Sequence, residues 1–129
     1  NAALAVKIKT VSFEKVLRES DFISVHVPSI GKALIGTEEI GRMQDGVYLI
    51  NTSRGGVIDE QALLDALESG KVRYAALDVF ENEPSPAVQV LMSPFISLSP
   101  HIGAATEEAQ DRIGVELADK IDAIEKGEL

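Results

Sequence analysis

Three residues of this 129-residue chain have the chemistry to move a proton beside a bound carboxylate: Arg54, Glu83 and His101. A planar guanidinium can take a carboxylate through two parallel hydrogen bonds. Histidine titrates near neutrality, so it can give a proton to a carbonyl oxygen or take one from a hydroxyl. A glutamate beside it favours the imidazolium and fixes the ring's orientation. Such a set suits the interconversion of a 2-keto acid and a 2-hydroxy acid, with hydride coming from a cofactor because no side chain supplies it. Each residue alone would pass for an ordinary surface charge. Their positions along the chain make them a set.

The elements that must position them alternate. Ser12 can cap a helix in which Phe13, Val16 and Leu17 share a face. Residues 22–27 then read as a strand stopped by Pro28. Thr37 can cap a short helix with Glu38 and Glu39 in its first turn, where the dipole favours acids. Residues 47–50 form a second strand, followed by a loop through Gly55 and Gly56. Asp59 caps the next helix, with Ala62, Leu63, Ala66 and Leu67 as its apolar stripe and Gly70 at its end. Residues 74–80 are a third strand and 95–98 a fourth, separated by a loop containing Pro84, Pro86 and Pro94. Thr106 caps a long last helix with Ile113, Leu117, Ile121 and Ile124 along one side, closed by Gly127.

Near-continuous apolar strands alternating with helices predict an α/β fold, a parallel sheet with helices on both faces. In such a sheet ligands bind outside the carboxyl ends of the strands. Arg54 follows the second strand, Asp78 and Glu83 stand in and after the third, and His101 follows the fourth. The topology therefore brings them to one edge.

Composition limits the alternatives. Hydrophobic residues at 45% and charged residues at 26% are those of a globular domain. A net charge of −9, from 21 acidic and 12 basic residues, argues against nucleic acid or an anionic membrane as partner. No apolar run reaches the length of a membrane span. The absence of cysteine excludes disulfides and thiolate metal sites and leaves the cytoplasm as the default compartment.

Four stretches carry a family resemblance. Leu49-Ile50-Asn51-Thr52-Ser53-Arg54-Gly55-Gly56-Val57-Ile58-Asp59-Glu60 resembles a signature of the D-isomer-specific 2-hydroxyacid dehydrogenases. So do Ala76 to Pro84, Ser99 to Thr106 and Ser20 to Pro28, in the family's order. The resemblance implies a Rossmann-type domain, NAD as cofactor and a small 2-hydroxy or 2-keto acid as substrate. It further implies D-3-phosphoglycerate as the substrate, with glyoxylate or hydroxypyruvate as the alternative, and a homo-oligomeric assembly.

It also implies roles. Arg54 would bind the substrate carboxylate, His101 would be the acid/base, and Glu83, immediately before Pro84, would pair with it, leaving Glu81 an exposed neighbour. Asp78 would meet the nicotinamide carboxamide, Thr52 and Ser53 the nicotinamide ribose, and the backbone of Gly103 and Ala104 the nicotinamide. Val27 and Pro28 would lie near the adenosine, and His26 is as readily structural.

The family's glycine-rich G-x-G-x-x-G turn is absent, and the Val27–Gly36 stretch is shorter than the family's. Residues 1–129 are therefore expected to be the second half of an NAD-binding domain, without its first half and without a substrate domain. Alone, the chain is expected neither to bind NAD tightly nor to transfer hydride. The unpaired edge near Phe22 is expected to invite self-association. Two other classes remain open: a non-enzymatic dinucleotide sensor on the same fold, and a structural fragment.

Overall fold

A computed structural model describes residues 9–127. In the first of two compact units, which ends at Leu98, the order is α1 (Phe13–Glu19), β1 (Phe22–Val25), α2 (Thr37–Arg42), β2 (Val47–Asn51), α3 (Glu60–Glu68), β3 (Val72–Leu77), α4 (Val88–Met92) and β4 (Ile96–Leu98). The four strands form one parallel sheet in the order β1-β2-β3-β4. Each strand thus joins its sequence neighbour through a helical crossover, as parallel pairing requires.

Strand alternation assigns the faces. Ile23, Leu49, Ala75 and Ile96 stand side by side in register, all buried. Leu17 of α1, Ile40 of α2, Leu63 and Leu67 of α3 and Val90 of α4 join them in one core. Burying each such Leu or Ile contributes about 1.5–3 kcal/mol, so this layer is the main cohesive element. The adjacent row, Phe22, Tyr48, Tyr74 and Phe95, points to the other face. There the rings follow one another across the sheet at centroid distances of 4.6, 6.2 and 5.8 Å, the last pair edge-on. Phe22 on the edge strand remains 65% exposed.

Most caps stand where the sequence puts them. Ser12 Oγ accepts from the Lys15 amide at 3.3 Å and Asp59 Oδ1 from the Ala62 amide at 2.8 Å. Gly70 follows α3 with φ 77°, the left-handed conformation that favours glycine after a helix. At α2 the expected cap is displaced by one residue: Gly36 is the N-cap and Thr37 is already helical. Glu39 reaches back to accept from the Gly36 amide at 3.0 Å, so this helix start is closed by a carboxylate at its third residue and not by a threonine hydroxyl. Strand ends also shift: β1 stops at Val25, and β3 runs from Val72 to Leu77. The proline loop contains α4, whose five residues carry no side-chain cap.

The second unit begins at Ser99 and holds α5 (Glu107–Glu125). Thr106 Oγ1 caps it, accepting from the Ala109 amide at 3.2 Å, and Gly127 follows it with φ 71°. Ile113, Leu117, Ile121 and Ile124 lie along one side, all exposed, and no residue of α5 is buried.

Candidate active site

The parallel sheet delivers the ends of β1, β2 and β3 to one edge, and the loops leaving that edge hold the singled-out residues of the first unit. After β1, Val27 packs half-buried against the core and Pro28 is exposed. His26 is exposed, with Nε2 2.7 Å from Ser24 Oγ.

β2 ends at Asn51, whose side chain is buried and organises the turn beyond it. Its Oδ1 accepts from the Ser53 amide at 3.1 Å and from Ser53 Oγ at 2.9 Å, while Nδ2 donates to the Arg54 carbonyl at 3.0 Å. A buried amide that uses both ends in this way replaces the backbone ladder where the strand stops. Thr52 and Arg54 are exposed above it, and Arg54 Nη1 donates to the Ser53 carbonyl at 2.6 Å. At Gly55 the loop meets the exit of β3 so closely that a Cβ would lie 1.8 Å from the Phe80 carbonyl oxygen. Only glycine permits that approach.

β3 ends at Leu77, and the Asp78 amide donates to the Asn51 carbonyl at 3.0 Å. The Asp78 side chain is half-buried, and Val79 and Phe80 are buried. Glu83 Oε1 accepts from the Phe80 amide at 3.0 Å, and the Glu83–Pro84 peptide is cis. Arg54, Asp78 and Glu83 thus stand in two abutting loops on one edge.

Glu81 is the exposed neighbour expected, and it also makes tertiary bonds. Its Oε1 accepts from the Glu60 amide at 2.9 Å, and its own amide donates to Glu60 Oε1 at 2.7 Å. Glu60 is 7% exposed, and burial pushes its carboxyl above the usual glutamate range, against the lowering effect of the Glu81 amide. Sequence reasoning missed Glu60 and Asn51 as parts of the site.

His101, Gly103 and Ala104 belong to the second unit. His101 comes three residues after the last residue of β4 and has φ 51°. That left-handed conformation is uncommon outside glycine, though histidine is among the types that adopt it. Gly103 and Ala104 are exposed in a turn closed by the Ala105 amide donating to the Ile102 carbonyl at 2.9 Å. Gln110 Nε2 donates to the Ala104 carbonyl.

A parallel α/β sheet with polar loops at its carboxyl edge is a Rossmann-like arrangement, in which ligands bind at that edge. The model of the family "D-isomer specific 2-hydroxyacid dehydrogenase, NAD binding domain" matches residues 1–103, and the chain belongs to that family. NAD is the family's cofactor. Over 120 residues the chain is 47% identical to hydroxypyruvate reductase of Thermotoga maritima, covering 88% of this chain and 39% of that protein. Over 127 residues it is 42% identical to D-3-phosphoglycerate dehydrogenase of Bacillus subtilis, covering 97% and 24%. The crystal structure of a glyoxylate reductase from Paecilomyes thermophila superposes with a TM-score of 0.78 at 44% identity, covering 91% of this chain and 37% of that one. The chain therefore spans well under half the length of each.

Proposed function

We propose that residues 1–129 form the second half of the NAD-binding domain of a cytoplasmic, homo-oligomeric dehydrogenase that interconverts a D-2-hydroxy acid and its 2-keto acid. The observation that carries this is the placement of Arg54, Asp78 and Glu83 in abutting loops at the carboxyl edge of a parallel sheet. Arg54 is exposed there and holds the substrate carboxylate. His101, three residues past β4, gives the proton to the carbonyl oxygen in reduction and takes it back in oxidation. Glu83 steadies the imidazolium that exists between those events. The left-handed backbone of His101 supports a functional role, since such conformations concentrate at active sites.

The residues present fit the nicotinamide end of NAD. Thr52 and Ser53 offer hydroxyls at the ribose, the half-buried Asp78 offers an acceptor to the carboxamide, and Gly103 and Ala104 offer backbone in an exposed turn. When bound, NAD supplies or accepts the hydride. Val27 and Pro28 line the adenosine side. Among the described residues no helix is long and apolar enough to cross a membrane.

The substrate we propose is D-3-phosphoglycerate. The 47% identity to the Thermotoga maritima enzyme favours hydroxypyruvate as a second reading. The test is a chimera in which this chain replaces the matching part of that hydroxypyruvate reductase, assayed with NADH and 2-keto acids. His101→Ala should abolish turnover, Arg54→Ala should raise KM for the keto acid at least tenfold, and Glu83→Gln should shift the pH–rate profile to lower pH. Normal turnover by the His101→Ala chimera would remove the assignment. The chimera keeps the host's substrate domain, so rates with 3-phosphohydroxypyruvate against hydroxypyruvate, measured on the intact dehydrogenase, discriminate the two substrates.

A further inference from the structure

Among the described residues, Asn51 and Glu60 are the buried polar side chains, and neither has a role in the chemistry above. Both lie beneath the loops that carry it. Asn51 holds the Arg54 loop from below, through the Arg54 carbonyl and the Ser53 amide. Glu60 opens α3, directly after that loop, and bonds the backbone of the β3 exit.

The bonds between Glu60 and Glu81 are reciprocal: each carboxylate accepts the other's amide, at 2.7 and 2.9 Å. They span 21 positions in sequence, so they are a tertiary staple. One amide is in the first turn of α3, where an anion is favoured. The other is next to Phe80, whose amide holds Glu83 at 3.0 Å. Gly55 touches Phe80 from the Arg54 side with no room for a Cβ. A continuous line of contacts therefore runs from the Arg54 loop through Gly55 and Phe80 to Glu83, and the two glutamates tie the far end of the Arg54 loop to the residue after Phe80.

We infer that Glu60 and Glu81 are positioning residues, whose mutual hydrogen bonds fix the separation between the loop presenting Arg54 and the loop presenting Glu83. The link of this clamp to catalysis rests on the proposed dehydrogenase function; the clamp itself does not. Carboxylates are not required at either position. A glutamine oxygen can accept the same amide, so glutamine preserves the clamp and alanine opens it.

The test begins with amide hydrogen exchange on the 129-residue chain. Glu81→Ala should speed exchange about tenfold, the effect of losing one hydrogen bond, at residues 53–60 and 79–83 together. The central strand amides of Leu49 and Ala75 should keep their rates. Glu60→Gln and Glu81→Gln should stay near the parent rates. Loosening confined to residues 79–83, or equal acceleration everywhere, overturns the clamp.

In the chimera, Glu81→Ala should raise KM for the keto acid and narrow the pH profile at unchanged melting temperature, with both restored in Glu81→Gln. Unchanged KM and pH profile, with the exchange effect present, overturn the positioning role. A parent chimera without turnover counts against the dehydrogenase function, and the exchange rates still decide the clamp.

Discussion

The two compact units hold their candidate chemistry in opposite ways. In the first, Arg54, Asp78 and Glu83 rest on a sheet whose inner row is almost fully buried, and buried Asn51 and Glu60 tie their loops. In the second, His101 precedes a helix of 19 residues with no buried member. The first unit keeps its geometry through non-local contacts. The second keeps it through capping, backbone conformation and neighbouring-turn ion pairs. A substitution should therefore cost much in the first unit and little in the second, unless it touches a local device.

The largest effect is expected in the core. Leu63 is fully buried beneath the sheet, and Leu63→Ala should cost about 2–5 kcal/mol in urea unfolding. Ile121→Ala on α5, where the side chain is 53% exposed, should change stability by less than about 0.5 kcal/mol. Equal losses from the two variants would erase the contrast between the units.

Next comes the junction of the two loops. Gly55→Ala forces a Cβ against the Phe80 carbonyl, so one of the two backbones must move, at a cost of roughly 1–3 kcal/mol or more. Gly41 in α2 has nothing within 4 Å of where a Cβ would stand, and Gly41→Ala should stabilise by about 0.5–1 kcal/mol. The pair separates close approach from helix propensity: thermal melts that rank the variants the other way would show that the Gly55 contact is not tight.

The clamp gives a smaller, pH-dependent signal. Burial raises the Glu60 carboxyl above its ordinary value. A raised acid favours folding while it is protonated. That contribution is complete below the usual glutamate value of 4.5 and fades as pH rises through the shifted value. Glu60→Gln cannot ionise, so its stability should gain on the parent's as pH climbs from 4 to 7. Urea midpoints of both proteins across that range measure the difference. A flat or falling difference would place the Glu60 charge in a better-solvated setting than its burial implies.

What could be read from the sequence divides along the same line. Local rules found Ser12, Asp59 and Thr106 as caps and the alternation of strands and helices, and parallel strand order sends the loops of Arg54, Asp78 and Glu83 to one edge. The Glu60–Glu81 clamp was out of reach, since a bond across 21 positions leaves no periodic trace. The aromatic row was equally hidden. Phe22, Tyr48, Tyr74 and Phe95 stand at or near the starts of four separate strands, and only the assembled sheet sets them side by side. Helix α4 lacked a side-chain cap, so the prolines around it dominated. At α2 a threonine beside a glycine suggested the wrong cap: Gly36 is the N-cap, and Glu39 closes the turn by accepting the Gly36 amide.

The smallest effect on the sheet is expected from Thr106, which tests the second unit directly. With no buried residue, α5 depends on local terms: the Thr106 hydroxyl, Glu107 and Glu108 in the first turn, and the exposed pairs Glu116–Lys120 and Asp122–Lys126. Each such pair contributes only about 0.3–0.5 kcal/mol, and salt screens it. Hydrogen bonding to Lys120 lowers the Glu116 carboxyl and raises the Lys120 amine, directions that mark a formed pair at a solvent-exposed site. Removing the cap costs a helix about 0.5–2 kcal/mol, which exceeds any single one of these terms. Thr106→Ala should therefore fray the first turns of α5, seen as carbon chemical shifts at residues 107–111 moving toward coil values. The urea midpoint of the sheet, followed at Tyr48 or Tyr74, should stay where it is, because the buried core is built from residues of the first unit. The turn before the cap, where Gln110 reaches back to the Ala104 carbonyl, should loosen with it, since Gln110 stands on the frayed turn. If Thr106→Ala instead lowered the sheet's midpoint by a full kcal/mol or more, α5 would have to be coupled to the core more strongly than its exposure suggests.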